Sequence, residues 1–496
     1  MKCFLLGLFL LAGGPAFSQT PLPVLTPAQM RADFEALTTA LTRINPHDYV
    51  RRRVNGYSQT DSILALRPAL DTMRRTKSFF WLVNKALTYC QDGHTSVLDK
   101  RFIPYLDSAD RAAGRPADTA IIEAYDQLRR RRLASYRLKL PLKYIDGQYT
   151  VLVPFAYHGT AVPAGAVLTT CDGTDIHAYV RRHLGSLPEL HWDFARQRFY
   201  ADNFAQALSR RPSESLRLTF RTGKQAITQD FALADTVLTT QRLKLKQPRV
   251  PRVSYLAGPR VLYIRMPVMR DAAWYLPRIG SIARRGPLRK IVLDVRDNSG
   301  GSDPEWQAIL THLVGVPIVQ RITSCANRRY PRPDRLGVSP AAPAYQIPAF
   351  DTEGAYQLVS VGADTLTQDP HSLRYQGPIY VLQNENCFSS AGSLLSTCQF
   401  SAQLINVGNS TGWFAGFGSM PWVLQLPNSR ILYWTEPRLD FTGVRQPADL
   451  FHNEVKVPVA LTAQDYAQRY TYPGDWYAED YLLKYDPVFR QVLRLK

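Results

Sequence analysis

Apolar residues recur at helical spacing near the start of the chain and give way to strand-like runs further on. Met30, Phe34, Leu37 and Leu41 fall on one helical face. Thr26-Pro27 ahead of them is a capping residue followed by proline at the first helical position. Phe79–Leu87 continues in the same manner, so residues about 25–135 are expected to be helical. From about 136 the pattern shortens. Tyr149–Pro154 and Ala166–Thr170 are β-rich runs, set off by the turn dipeptides Asp146-Gly147 and Asp172-Gly173. Ile176–Leu184 reads as a short helix, and Ser215–Thr219 and Ile227–Leu233 as further strands. Between 250 and 460 the apolar runs Val261–Ile264, Lys290–Val295 and Ile379–Gln383 read as buried strands. Helical stretches at Glu305–Val314 and Ala391–Phe400 follow the last two. Strand-then-helix order predicts an α/β layer with parallel strands. No repeat of fixed period is visible.

Composition narrows the class. A chain of 496 residues holds two to four domains at roughly 100–200 residues each. With 45% hydrophobic and 20% charged residues, it is neither disordered nor a coiled coil as a whole. No apolar run after the N-terminus is long enough to cross a bilayer, which excludes a polytopic membrane protein. The formal charge is +19, which raises the question of an anionic partner. The basic run Arg129–Arg132 lacks interleaved aromatics and reads as a solvated helix face, so no nucleic-acid partner is expected.

Residues 1–18 have the pattern of a secretory signal peptide: Lys2, the apolar stretch Phe4–Ala12, and Ala16-Phe17-Ser18 before Gln19. The mature chain is therefore expected to start near Gln19 and to be exported, to periplasm or extracellular space, without an integral membrane segment. Losing Cys3 leaves Cys90, Cys171, Cys325, Cys387 and Cys398, an odd number, so at least one thiol is unpaired or intermolecular. Cys387 and Cys398 are a candidate pair. No zinc-type spacing, phosphate loop or dinucleotide fingerprint occurs, so no metal or other cofactor is expected.

Three segments carry candidate chemistry. Asp294-Val-Arg-Asp-Asn-Ser-Gly300-Gly301 follows a strand, and its glycines allow a sharp turn whose N–H groups suit an oxyanion, or a plain tight turn. Asn386-Cys-Phe-Ser389-Ser390-Ala391-Gly392-Ser393 lies between a strand and a helix. A serine there is placed either as a nucleophile or as a helix cap, and Ser389 and Ser390 both suit the latter. Asp92-Gly93-His94-Thr95 presents an imidazole after a glycine turn, as a base or as an ordinary structural histidine.

The order DGHT, a β module, DVRDNSGG and SSAGS resembles serine peptidase family 41. That family includes the tail-specific or C-terminal processing proteases, the tricorn core protease and interphotoreceptor retinoid-binding protein. The resemblance covers nearly all of the mature chain. It implies a multidomain α+β protein: an N-terminal helical region (19–135) carrying DGHT, a PDZ-like β module (136–240), a crotonase/ClpP-like α/β catalytic core (250–465) and a helical tail (466–496). It implies Ser390, before Ala391, as nucleophile, and Gly300 or Gly301 with Ala391 as oxyanion-hole donors. The tail-specific branch takes a lysine base after the serine, but no lysine lies between Lys290 and Lys456. The tricorn-like branch takes a histidine, and His94 matches it. Asp440, ahead of Gly443-Val444, matches that branch's orienting carboxylate. Ser393 stands where the family often has an acidic residue. The implied activity is hydrolysis of peptide or protein substrates. The alternative is a non-catalytic secreted binding protein on a degenerate peptidase scaffold. Oligomeric state is not readable.

Overall fold

The computed structural model describes residues 21–103, 106, 119–187, 190–207, 210–241, 243–245, 247–330, 350–411, 421–441, 444–451 and 453–495. The expected signal peptide lies outside them. Thr26 caps the helix Pro27–Ile44 through a reciprocal pair of bonds with Gln29, which satisfies two otherwise orphaned donors. Met30, Phe34, Leu37 and Leu41 of that helix share one core with Phe79, Phe80 and Val83 of the helix Thr76–Thr88. The helix Thr119–Ser135 completes the layer. Of its arginine run, Arg130 and Arg131 are exposed, as a solvated face requires, while three of the four also have partners. Arg129 and Arg130 pair with Asp99 and Asp126, and Arg132 lies 4.4 Å over the Trp81 ring. The hairpin Trp422–Gln425 with Leu432–Thr435 packs Leu432 and Tyr433 into this same core. A distant part of the chain is thereby fastened beside DGHT.

The β module is an antiparallel sheet in the order Leu142–Ile145, Gln148–Val151, Val167–Cys171, Ser215–Thr222, Gln225–Ala232. The turn at Asp146-Gly147 has φ of 47° and 83°, and that at Asp172-Gly173 has 52° and 71°. Positive φ at both central residues is what a two-residue hairpin requires. The helix Ile176–Arg182, capped by Asp175, covers one face with Ile176, Tyr179 and Val180.

The α/β layer is a six-stranded sheet in the order Arg252–Leu256, Val261–Arg265, Lys290–Asp294, Ile379–Gln383, Leu404–Gly408, Val457–Pro458. Its first pair is antiparallel and the rest are parallel. Every residue of the three strands Val261–Arg265, Lys290–Asp294 and Ile379–Gln383 is buried, as a parallel sheet covered on both faces demands. Helices Ala272–Ala283, Asp303–Leu313 and Ser390–Thr397 cover one face. The helix Pro487–Arg494 covers the other, through Val488, Phe489 and Val492. The helical C-terminus is thus one layer of this unit. A long ribbon, Ile318–Asn327 with Tyr356–Leu366, flanks the sheet and pairs with the strand Arg438–Asp440.

Cys90, Cys171, Cys325, Cys387 and Cys398 are all buried free thiols, so the candidate Cys387–Cys398 pair does not form. Among the described residues no helix is long and apolar enough to cross a membrane.

Candidate active site

The strands Lys290–Asp294 and Ile379–Gln383 are parallel neighbours, with Asp294 opposite Leu382. Their following loops, DVRDNSGG and NENCFSS, therefore leave the same sheet edge side by side, where open α/β sheets form clefts. The loops are bonded to each other: Phe388 N–H donates to the Asn298 carbonyl at 3.0 Å, and Cys387 Sγ donates to the Val295 carbonyl at 3.1 Å.

Ser389 sits at the apex of the second loop, with φ 57° and ψ −126°. That left-handed φ is costly for a residue with a Cβ, on the order of 1–3 kcal/mol. Its side chain makes no capping bond to the helix Ser390–Thr397 that follows, so its hydroxyl is not spent as a cap. Gly300, φ 104°, lies directly against it. A Cβ on Gly300 would stand 2.7 Å from Ser389 Cβ and 3.2 Å from its Oγ, so only glycine fits. Ser390, the expected nucleophile, is one residue into the helix. It is buried, and its Oγ has no hydrogen-bond partner among the described residues. The strained turn falls one residue earlier, at Ser389.

Two of the three expected oxyanion donors, Ala391 and Gly300, have their N–H groups engaged. Ala391 N–H is engaged with the Phe388 carbonyl at 3.1 Å, and Gly300 N–H donates to Asn298 Oδ1 at 2.8 Å. The N–H groups of Gly301 and Ser390 take no acceptor among the described residues. Gly301 is itself held by a bridge to Met269, whose carbonyl would lie 2.2 Å from a Cβ at that position.

His94 is placed by Asp92. One carboxylate oxygen accepts the N–H groups of His94 (3.0 Å) and Thr95 (2.6 Å). The other accepts the Thr95 hydroxyl (2.6 Å) and the Asn45 amide (2.8 Å). Burial by itself would raise the Asp92 pKa. The neighbouring His47, with the bonds from Thr95 and Asn45, outweighs it and holds the carboxyl below the ordinary range. His94 Nδ1 lies 3.1 Å from Glu436 Oε2. Its ring packs at 4.9 Å on Phe388, the residue before Ser389. Glu436 follows the hairpin strand Leu432–Thr435 and is fully buried. Burial pushes its carboxyl up to about 7, against the opposing pull of His94. Asp440, expected in this role, instead lies in the strand Arg438–Asp440 opposite Ser324 of the ribbon. The carboxylate on the imidazole is Glu436, because the apolar run LYWT carries the residue after it into the core. Glu436 could have been noticed as an acid closing a buried strand. Local chemistry in the sequence does not separate Ser389 from Ser390 as a nucleophile or cap; the family motif points to Ser390.

Among the described residues no group of three His, Cys, Asp or Glu could hold a metal ion.

A parallel sheet presenting a strained serine, two unengaged main-chain donors and an imidazole–carboxylate pair is the framework of a serine-type hydrolase. Residues 260–445 match the model of Peptidase family S41. The fold is similar to the structure of mature CPAF complexed with lactacystin: TM-score 0.53, 13% identity, covering 89% of this chain and 96% of that one. It is also similar to mature CPAF, with TM-score 0.54, 12% identity and coverage of 89% and 94%. The photosystem II D1 C-terminal processing protease matches at TM-score 0.38 and 16% identity, over 87% and 93%. No curated protein matches the chain.

Proposed function

We propose that the chain is an exported peptidase in which Ser389 is the nucleophile, His94 the general base and Glu436 the carboxylate that orients it. One observation carries this reading: Ser389 is held in a strained turn against Gly300, in the loop whose Phe388 packs on His94. A neutral hydroxyl is a weak nucleophile and needs a base as it attacks the peptide carbonyl. With Nδ1 on Glu436, the imidazole has Nε2 to take the proton, and later to return it to the leaving amine. The N–H groups of Ser390 and Gly301 receive the oxyanion. Each such donor is typically worth about 10²–10³ in rate. Water then hydrolyses the acyl-serine.

The antiparallel sheet of residues 142–232, capped by one helix, supports the PDZ-like reading of that module. Its outer strand Gln225–Ala232 pairs on one side with Ser215–Thr222, and its other side suits addition of an extended peptide strand. The layered parallel sheet supports the crotonase-like reading of the core. The signal-peptide pattern of residues 1–18 supports export.

The test is hydrolysis of a fluorogenic peptide library by the wild type, Ser389→Ala and His94→Ala. Loss of turnover in both variants, with unchanged thermal melting, is expected. Turnover that survives Ser389→Ala overturns the assignment. A wild type that binds peptides without cleaving them makes the chain a binding scaffold.

A further inference from the structure

Asp297 lies between the end of the strand Lys290–Asp294 and the glycine pair, with φ 60°. Its carboxylate joins three segments. Oδ1 accepts the side-chain amides of Asn384 (2.8 Å) and Asn386 (2.9 Å), both in the nucleophile loop. Oδ2 accepts the Arg469 guanidinium and the Tyr477 hydroxyl, each at 2.9 Å, from the C-terminal segment. Asn384 returns a bond, its Oδ1 accepting the Asp297 N–H at 2.9 Å. Arg469 belongs to the helix Ala463–Thr471. Its side chain is 13% exposed, and its guanidinium lies 4.6 Å over the Trp476 ring. None of these groups has a part in the chemistry proposed above. The two loops they join carry the nucleophile and both oxyanion donors, so the spacing of those groups is set at this carboxylate. Without a cation beside it, the carboxylate would be drawn towards water and away from the two asparagines.

We propose that Arg469 and Tyr477 are positioning residues for the reaction, locking the glycine loop to the nucleophile loop through Asp297. The C-terminal segment 463–494 is then a working part of the active site as well as a cover for the sheet. The inference rests on Ser389 being the nucleophile.

The experiment uses the full chain and measures the rate of labelling by a fluorophosphonate at saturating reagent. The adduct is mapped by mass spectrometry, and kcat and KM for a cleaved peptide are recorded below each variant's melting point. Arg469→Met is expected to label on the order of 10²-fold more slowly, the scale of a small misplacement of reacting groups, with KM little changed. Arg469→Lys should recover part of the rate, since an ammonium still reaches the carboxylate. Combining Arg469→Met with Asp297→Asn should give less than the product of the two single effects, because the arginine acts through the aspartate. A strap that is only structural would lower the melting point and leave the labelling rate intact. A wild-type rate in folded Arg469→Met, or fully multiplicative effects in the double variant, overturns the proposal. Should Arg469→Met fail to fold, Tyr477→Phe removes one bond to Asp297 and keeps the ring. It is expected to label several-fold more slowly, and a wild-type rate there also overturns the proposal. A wild type whose adduct is not on Ser389 overturns the nucleophile assignment and this inference with it. Labelling at Ser389 with no effect of Arg469 overturns this inference alone.

Discussion

Replacing Glu436 by Gln should move activity and stability in opposite directions. Glu436 is fully buried, one oxygen is 3.1 Å from His94 Nδ1, and the other has no partner among the described residues. Its carboxyl is raised from 4.5 to about 7 in the fold, chiefly by burial. A carboxyl with a raised folded pKa favours folding below the unfolded value and loses that contribution as pH rises through the folded value. Between pH 4.5 and 7 the wild type therefore gives up on the order of 3 kcal/mol, at about 1.4 kcal/mol per pKa unit. Glutamine keeps the shape, carries no charge to desolvate and has no such slope. Glu436→Gln should thus melt at or above the wild-type temperature at pH 8, with the gap closing towards pH 5. Peptide turnover should meanwhile fall by about 10⁴, the scale seen when a triad carboxylate becomes an amide. Differential scanning calorimetry at three pH values and kcat/KM at pH 8 read the two effects. A variant that keeps turnover within tenfold, or that melts well below the wild type at pH 8, refutes the reasoning.

Gly300→Ala puts a methyl group 2.7 Å from Ser389 Cβ at φ 104°, so hydrolysis should fall by 10²-fold or more; near-normal turnover would deny the close approach. Asp92→Ala removes the acceptor of four hydrogen bonds around His94. It should cost about 2–4 kcal/mol in denaturant unfolding and reduce kcat more than it raises KM. The wild-type Asp92 contribution is present above the ordinary carboxylate pKa and is lost as pH falls through its depressed folded value, so the wild-type and Asp92→Ala unfolding curves should converge in acid. Phe489→Ala empties part of the core beneath Tyr263 and Tyr380 and should cost about 3–5 kcal/mol; a smaller loss would show that the C-terminal helix is not integral to the sheet.

The elements most legible in the sequence were those whose pattern is local. The capped helix Pro27–Ile44, the Asp-Gly hairpin turns and the strands Lys290–Asp294 and Ile379–Gln383 all fall where periodicity and turn residues place them. The strands Ile318–Asn327 and Tyr356–Leu366 mix polar and apolar residues without a clean alternation, so they left no signal. The candidate site was legible as three segments, and the parallel pairing of two strands explains why two of them meet. Its last details depend on three dimensions. Which of two adjacent serines takes the strained turn is visible only in the backbone torsion at 389. Which acid meets His94 is decided by a hairpin packed on a helical layer several hundred residues upstream. The charge run at Arg129–Arg132 read as surface, and Arg130 and Arg131 are exposed; the partners of Arg129 and Arg130, Asp99 and Asp126, are visible as partners only once the helix is packed.

The identity of the nucleophile is tested most directly by mapping a fluorophosphonate adduct on the wild-type chain by tandem mass spectrometry. The strained turn at 389 predicts phosphonylation of Ser389, with labelling retained in Ser390→Ala and abolished in Ser389→Ala. An adduct on Ser390, or labelling that survives Ser389→Ala, would contradict the account.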